Sequence, residues 1–130
     1  MDTRKFPVKA ADFILQNDLK GNMYNFFNWG GYLIWRLAPE KKVFIDGRTL
    51  DSVLYEQTSI IDKAIVDPQS GMSIWKYLLD EHHVNYVVIP CWGDSRSFPL
   101  CQALNSDRDW VTVFSDQTST IFVRNAGLNS

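Results

Sequence analysis

Short runs of β-branched and aromatic residues alternate with segments of helical periodicity along the whole 130-residue chain. The strand-type runs are residues 22–28, 42–46, 85–90, 109–116 and 119–124. Segments with helical apolar spacing lie within residues 6–22, 30–38, 49–71, 72–83 and 97–107. Because strands that alternate with helices build a sheet covered on both faces, the pattern predicts an α/β fold.

We predict one domain over residues 1–130, a small Rossmann-like three-layer α/β domain with a mostly parallel sheet of about five strands. The first strand is expected to lie between the second and third. The third helical segment has a possible break near Thr58-Ser59. The last two strands should form an antiparallel hairpin joined at Gln117-Thr118. The terminal strand after Thr118 would leave an exposed edge, through which two copies could associate weakly.

The balance of charge and apolar residues excludes several classes of protein. The formal net charge of −2 argues against a nucleic-acid or anionic-membrane surface, since both need a clustered basic face. No run reaches the ~18 apolar residues that span a bilayer, and the start has no signal-peptide core. Read literally, the chain is a free-standing cytosolic protein. It could equally be a piece of a longer protein, with Met1 an expression start.

The cysteines and histidines give no metal or redox motif. Cys91 and Cys101 lie ten residues apart, and two free buried cysteines are the expected state. A disulfide between them requires the loop after the third strand to fold back onto the next helix. His82 and His83 are adjacent, so on a helix they point about 100° apart and cannot chelate one ion together. We therefore expect no metal and no cofactor.

The topology predicts where a ligand would bind. In open α/β sheets, ligands occupy the crevice at the carboxyl ends of the strands. The loops that leave the first three strands there begin near Trp29, Asp46 and Cys91. The candidate ligand-binding residues that these loops carry are Trp29, Gly30, Gly31, Asp46, Arg48, Trp92, Asp94 and Arg96.

Each of these residues also has a structural interpretation. The Gly30-Gly31 pair lacks both phosphate-binding spacings, G-x-G-x-x-G and G-x-x-x-x-G-K-[ST], so we favour close packing at a strand-to-helix turn. Asp46 and Arg48 are expected to make structural contacts more readily than ligand contacts. The tryptophans could stack on a sugar or base, or cover the open end of the sheet. Ser95 has no histidine partner within the predicted topology, which argues against a hydrolase and leaves no catalytic residue.

Three stretches carry a family resemblance that covers nearly the whole chain. They are a proline-led helix followed by "GNMYNFFNWGGYLIW" and "PEKKVFIDGR", a helix leading to "VNYVVIP", and the hairpin "WVTVFSDQTSTIFVR". This succession resembles the C-terminal extramembrane domain of certain bacterial multi-pass membrane proteins. Those proteins look related to lipid-linked-sugar glycosyltransferases of the dolichyl-phosphate-mannose mannosyltransferase type.

The resemblance implies an inner-membrane protein whose C-terminal domain lies in the periplasm and accompanies the membrane-embedded part of the same chain. The acids used for glycosyl transfer in such families lie between the first membrane helices, so none is carried by this domain. Its expected role is non-catalytic, and its possible ligand is a sugar or lipid-linked sugar. Residues 29–32 and 46–48 match the pattern, but the family does not say whether they bind or pack. The alternative is a cytosolic Rossmann-like domain that binds a nucleotide or sugar.

Overall fold

A computed structural model describes residues 6–45 and 51–125 of the chain. Five helices and four strands follow one another in this part, together with a single 3₁₀ turn at Phe27–Trp29. The helices are α1 (Val8–Asn17), α2 (Gly30–Leu37), α3 (Ser52–Asp62), α4 (Ile74–Glu81) and α5 (Phe98–Ser106). The strands are β1 (Asn22–Asn25), β2 (Val84–Ile89), β3 (Trp110–Ser115) and β4 (Thr120–Arg124). The chain is therefore a mixed α/β protein.

The four strands form one mixed sheet in the order β1-β2-β4-β3. Only the β1–β2 pair is parallel, whereas β2–β4 and β3–β4 are antiparallel. The prediction of a mostly parallel sheet of about five strands is therefore wrong for the described residues. The predicted C-terminal hairpin is confirmed. Because β4 folds back between β2 and β3, it takes the place beside β2 that a further parallel strand would need.

The helices form where apolar residues recur at helical spacing. In α1 the buried face is Ala10, Ala11 and Ile14, and α2 buries Gly30, Leu33 and Leu37. The Asp51 carboxylate caps α3 by accepting hydrogen bonds from the N–H groups of Val53 and Leu54. α3 continues unbroken to Asp62, so the predicted break near Thr58-Ser59 is absent. Within residues 6–45 and 51–125, no helix is long and apolar enough to cross a membrane.

The predicted strand at residues 42–46 is not a strand over its described part, 42–45. The buried side chain of Asn25 holds this segment beside the end of β1 instead. Asn25 Oδ1 accepts hydrogen bonds from the N–H groups of Phe44 at 2.7 Å and Ile45 at 3.1 Å, and Nδ2 donates to the Ile45 carbonyl at 2.9 Å. Consequently β1 is an outer strand of the described sheet and does not lie between two neighbours as predicted.

Replacing Asn25 by alanine is expected to lower the free energy of unfolding by about 2 kcal/mol, because buried N–H and C=O groups then lose their partner. Amide hydrogen exchange at Phe44 and Ile45 should accelerate more than exchange in β2. Asn17→Ala is the matched control, since the Asn17 amide makes one exposed hydrogen bond, to the Phe13 carbonyl. Equal protection of Phe44 in the two variants would show that Asn25 does not hold the segment.

The outer strands of the described sheet are β1 and β3. The terminal strand β4, which was predicted to leave an exposed edge, pairs on both sides instead. Val111 and Val113 on β3 are more than one-third exposed. The β3–β4 register shifts between Thr112 and Phe114, and such irregularities disfavour edge-to-edge pairing. Weak self-association through a sheet edge stays a prediction.

Cys91 and Cys101 form a disulfide, so the expectation of two free cysteines is wrong. Their Cα atoms lie 5.7 Å apart. The sequence did not determine whether the loop after β2 reaches the next helix. The loop after β2 folds back onto the first turns of α5, which brings the two side chains together.

Candidate functional site

The parallel pair β1–β2 places the loops that follow both strands at one edge of the sheet. The loop after β1 contains Asn28 and Trp29, and the loop after β2 contains Trp92 and Arg96. Trp29 and Trp92 meet edge to face, with ring centroids 6.2 Å apart. Arg96 Nη2 donates a hydrogen bond to Asn28 Oδ1 at 2.9 Å. The two loops predicted to share the carboxyl-end crevice are therefore in direct contact.

The predicted site residues occupy different environments at this edge. Trp29 is only 2% exposed and packs against Phe26 as well as Trp92, so it is part of the hydrophobic core. Gly30 is buried at the start of α2, whereas Gly31 is exposed with open space around it.

Trp92 is half-buried and donates its indole N–H to the Gln117 carbonyl at 2.9 Å. Asp94 is exposed on the same loop. Asp46 and Arg48 lie outside the described residues, so their predicted role stays a prediction.

A cavity of about 130 Å³ opens between these loops and α3. Phe27 and Arg96 contribute from the two loops. The remaining lining residues are Tyr55, Thr58, Ser59, Asp62 and Lys63 from α3 and its C-terminal cap. The Phe27 and Tyr55 rings lie 5.5 Å apart. Of the eight predicted site residues, Arg96 is the one that lines this cavity in the described part of the chain.

Asp62 is the chemically distinctive group of the cavity. It is 2% exposed, and burial raises the pKa of its carboxyl to about 6 from the usual 3.8. Two neighbours oppose that rise. The Tyr24 hydroxyl donates to Asp62 Oδ1 at 2.6 Å, and Arg96 Nε lies 4.0 Å from Oδ2. Burial and the adjacent Asp62 carboxylate in turn raise the pKa of Tyr24, which keeps that phenol a hydrogen-bond donor.

Thr58 adds a second unusual feature to the same wall. Its Oγ1 is buried and has no hydrogen-bond partner within the described structure. A buried hydroxyl without a partner costs free energy, and such groups are rare in folded proteins. Thr58 lines the cavity beside Asp62, but its Oγ1 has almost no accessible surface, so a ligand in the cavity does not reach this oxygen.

Arg96 lines the cavity from the loop after β2, whereas Asp62 and Thr58 line it from α3. Its guanidinium lies over the Phe26 and Phe27 rings, 5.5 and 5.6 Å from their centroids. The side chain is 56% exposed, so it sits at the mouth of the cavity and can donate to a ligand. Lys63 lies at the same mouth.

The described cavity combines aromatic, acidic and basic side chains. Ser95 Oγ contacts Ser97 Oγ at 3.0 Å, and no histidine lines the described cavity to activate either hydroxyl. Among residues 6–45 and 51–125, no group of three or more His, Cys, Asp or Glu side chains is placed to bind a metal ion. The cavity offers aromatic walls, one buried carboxylate and two cationic donors.

Sequence reasoning missed the α3 side of the cavity. A signal was present, because Tyr55, Thr58 and Asp62 recur at the helical spacing i, i+3, i+7. Asp62 follows the apolar pair Ile60-Ile61. The helical spacing therefore indicated an apolar face and gave no sign that this carboxylate belongs to it. Tyr24 was missed for a similar reason, because it lies in an aromatic strand in which a tyrosine is expected to pack.

The chain was compared with family models, curated proteins and solved structures, and none of them matches. The interpretation of the site accordingly depends on its own geometry.

Proposed function

We propose that this domain is a non-catalytic, sugar-binding accessory domain of a polytopic membrane protein of the glycosyltransferase type. The observation that carries the sugar-binding part is the cavity at the carboxyl ends of β1 and β2, with Asp62 buried in its wall. Small-molecule sites combine apolar walls with a few well-placed polar groups. Here the Phe27 and Tyr55 rings supply the apolar walls. Asp62 and Arg96 supply partners for ligand hydroxyls.

The size and charge of the cavity favour a single sugar ring. A volume of about 130 Å³ lies below the roughly 300 Å³ at which drug-sized pockets begin, which favours one sugar ring over a nucleotide with base, ribose and phosphate. A sugar hydroxyl can donate to the Asp62 carboxylate and accept from the Arg96 guanidinium. A ligand amine would instead face the positive charges of Arg96 and Lys63.

The membrane association and periplasmic location follow from the family resemblance of the sequence. The Cys91–Cys101 disulfide is consistent with that location, because disulfides persist in oxidising compartments such as the bacterial periplasm. In this proposal any glycosyl transfer occurs in the membrane-embedded part of the same chain. Reading the coding sequence upstream of Met1 tests this part. Roughly ten or more apolar stretches are expected there, and an in-frame stop directly upstream would contradict it.

Sugar binding is tested by titrating the ¹⁵N-labelled 130-residue chain with methyl α-D-mannoside, methyl α-D-glucoside and N-acetylglucosamine. We expect millimolar dissociation constants, about 4 kcal/mol of binding free energy, because the site contacts one small ring. Amide shifts should centre on Phe27, Thr58 and Arg96. Arg96→Ala and Asp62→Asn should weaken binding at least tenfold.

Matched controls separate the site from general charge effects. Arg108→Ala removes an exposed arginine elsewhere, and Asp94→Asn neutralises an exposed carboxylate on the loop that carries Arg96. Both variants should bind sugar like the parent chain. UDP and AMP form the second arm of the titration. Binding of a nucleotide but of no sugar would favour the cytosolic nucleotide-binding alternative, and binding of neither would overturn the sugar-binding proposal.

A further inference from the structure

The loop that carries Arg96 is closed by the disulfide at its two ends. Cys91 follows β2 after Pro90, and Cys101 lies in the first turns of α5 with 2% of its surface exposed. Arg96 stands midway between them. The bridge therefore fixes both ends of the 91–101 loop to the sheet edge and to α5, while the middle of the loop faces the cavity.

The contacts of Arg96 itself are weak determinants of its position. They are one hydrogen bond to the exposed Asn28, two contacts with aromatic rings, and a 4.0 Å approach to Asp62. A charged side chain that is 56% exposed gains little from such pairs, because water screens them. Its placement must therefore come from the backbone of the loop.

Other contacts within the loop restrain only parts of it. The Trp92 indole is held by the Gln117 carbonyl and by the Trp29 ring. On the other side of Arg96, the Ser97 carbonyl accepts from the Cys101 N–H at 3.0 Å. Hydrogen bonds also cross Arg96, from the Ser97 N–H to Ser95 Oγ and from the Phe98 N–H to the Ser95 carbonyl, both at 3.1 Å, and they shape the local turn. The disulfide is the covalent link that ties the two ends of the loop, residues 91 and 101, to each other. Chain-entropy arguments predict that a disulfide closing a loop of this length restricts its conformations.

We propose that the Cys91–Cys101 disulfide is the positioning element that holds Arg96 over the cavity and against Asp62. Without the bridge, the 91–101 loop samples conformations in which the guanidinium is no longer 4.0 Å from the Asp62 carboxylate. The electrostatic coupling between Arg96 and Asp62 then disappears, although the sheet and α3 remain folded. As a consequence for ligand binding, which rests on the proposed function, the disulfide-free chain should bind sugar more weakly.

The coupling can be measured without any ligand, from the pKa of Asp62 followed by ¹³C NMR of its carboxyl carbon. In the parent chain, Arg96→Met should raise this pKa by about 0.5 to 1 pH unit, a reduced value because Arg96 is half-exposed. In a Cys91→Ala/Cys101→Ala chain, Arg96→Met should leave the pKa of Asp62 unchanged. Comparing the two backgrounds isolates the Arg96 contribution from any change in the hydration of Asp62.

Lys63→Met is the matched control, because Lys63 also borders the cavity but is positioned by the end of α3. Its effect on the pKa of Asp62 should be the same in both backgrounds. If the cysteine-free chain fails to fold, two glycines inserted after Gly93 lengthen the loop with the disulfide intact. That insertion should likewise abolish the effect of Arg96→Met.

An equal effect of Arg96→Met with and without the disulfide would overturn the positioning role, as would the absence of any effect in the parent chain. The sugar titration of the cysteine-free chain is a separate readout, in which we expect about a tenfold weaker affinity. If no sugar binds the parent chain, the proposed function fails while the pKa comparison still decides the role of the disulfide.

Discussion

Replacing Trp29 by alanine is expected to lower the free energy of unfolding by about 3 to 5 kcal/mol, the usual cost of truncating a large buried aromatic residue. Trp29 is 2% exposed and contacts Phe26 and Trp92 edge to face. Its removal leaves a cavity at the junction of the loops that follow β1 and β2. Urea denaturation followed by circular dichroism measures the loss.

The matched control is Trp35→Ala on the next helix. Trp35 is 76% exposed, so its replacement should change the free energy of unfolding by no more than about 0.5 kcal/mol. The comparison decides the function of the tryptophan in "NWGGYL". A small stability loss in Trp29→Ala, combined with a complete loss of sugar binding, would identify Trp29 as a ligand contact and contradict its packing role.

Replacing Asp62 by asparagine is expected to stabilise the chain by about 3 kcal/mol at pH 7.5. Burial raises the pKa of Asp62 to about 6, compared with 3.8 when the chain is unfolded. A difference of about two pH units between the folded and unfolded values corresponds to about 3 kcal/mol. Asparagine removes the buried charge and retains an oxygen that can accept the Tyr24 hydrogen bond.

The pH dependence has a definite sign. Between pH 3.8 and about 6 the folded chain binds the Asp62 proton more tightly than the unfolded chain does, so the Asp62 contribution to stability falls as pH rises through this window. Below it, Asp62 is protonated in both states and the penalty vanishes. The pKa values of the exposed Asp18 and Asp109 and of the half-buried Asp67 are lowered, so these carboxyls act in the opposite direction. They are present in both chains and cancel in the difference.

Urea denaturation of both chains at pH 3.5, 5 and 7.5 provides the measurement. The advantage of Asp62→Asn should be near zero at pH 3.5 and largest at pH 7.5. Asp80→Asn is the control for removing a carboxylate, because Asp80 is exposed and pairs with Arg124. A constant difference between Asp62→Asn and the parent chain at all three pH values would show that the carboxyl of Asp62 titrates normally.

The crevice itself was largely predictable. Strand β2 and the end of β1 were visible as apolar runs, and parallel neighbours bring their following loops to one edge. That rule alone places Trp29 near Trp92, and Arg96 near Asn28. The α3 wall was not predictable in this way, because its approach to the loops depends on how the helix packs on the sheet. From the sequence alone, the Asp62 side chain would be expected to be exposed to solvent.

The sequence by itself indicated that five helices, the strands β1 to β4 and the C-terminal hairpin form, because these follow from local periodicity and turn chemistry, although it also predicted a strand at 42–46 that is absent over its described part. Strand order, the disulfide and the burial of Asp62 were decided only by the tertiary structure. The Asn25 side chain holds Phe44 and Ile45 without a backbone ladder, and β4 inserts beside β2. Both are contacts between segments that are distant in the chain. Their energies depend on tertiary packing, which local sequence patterns do not predict.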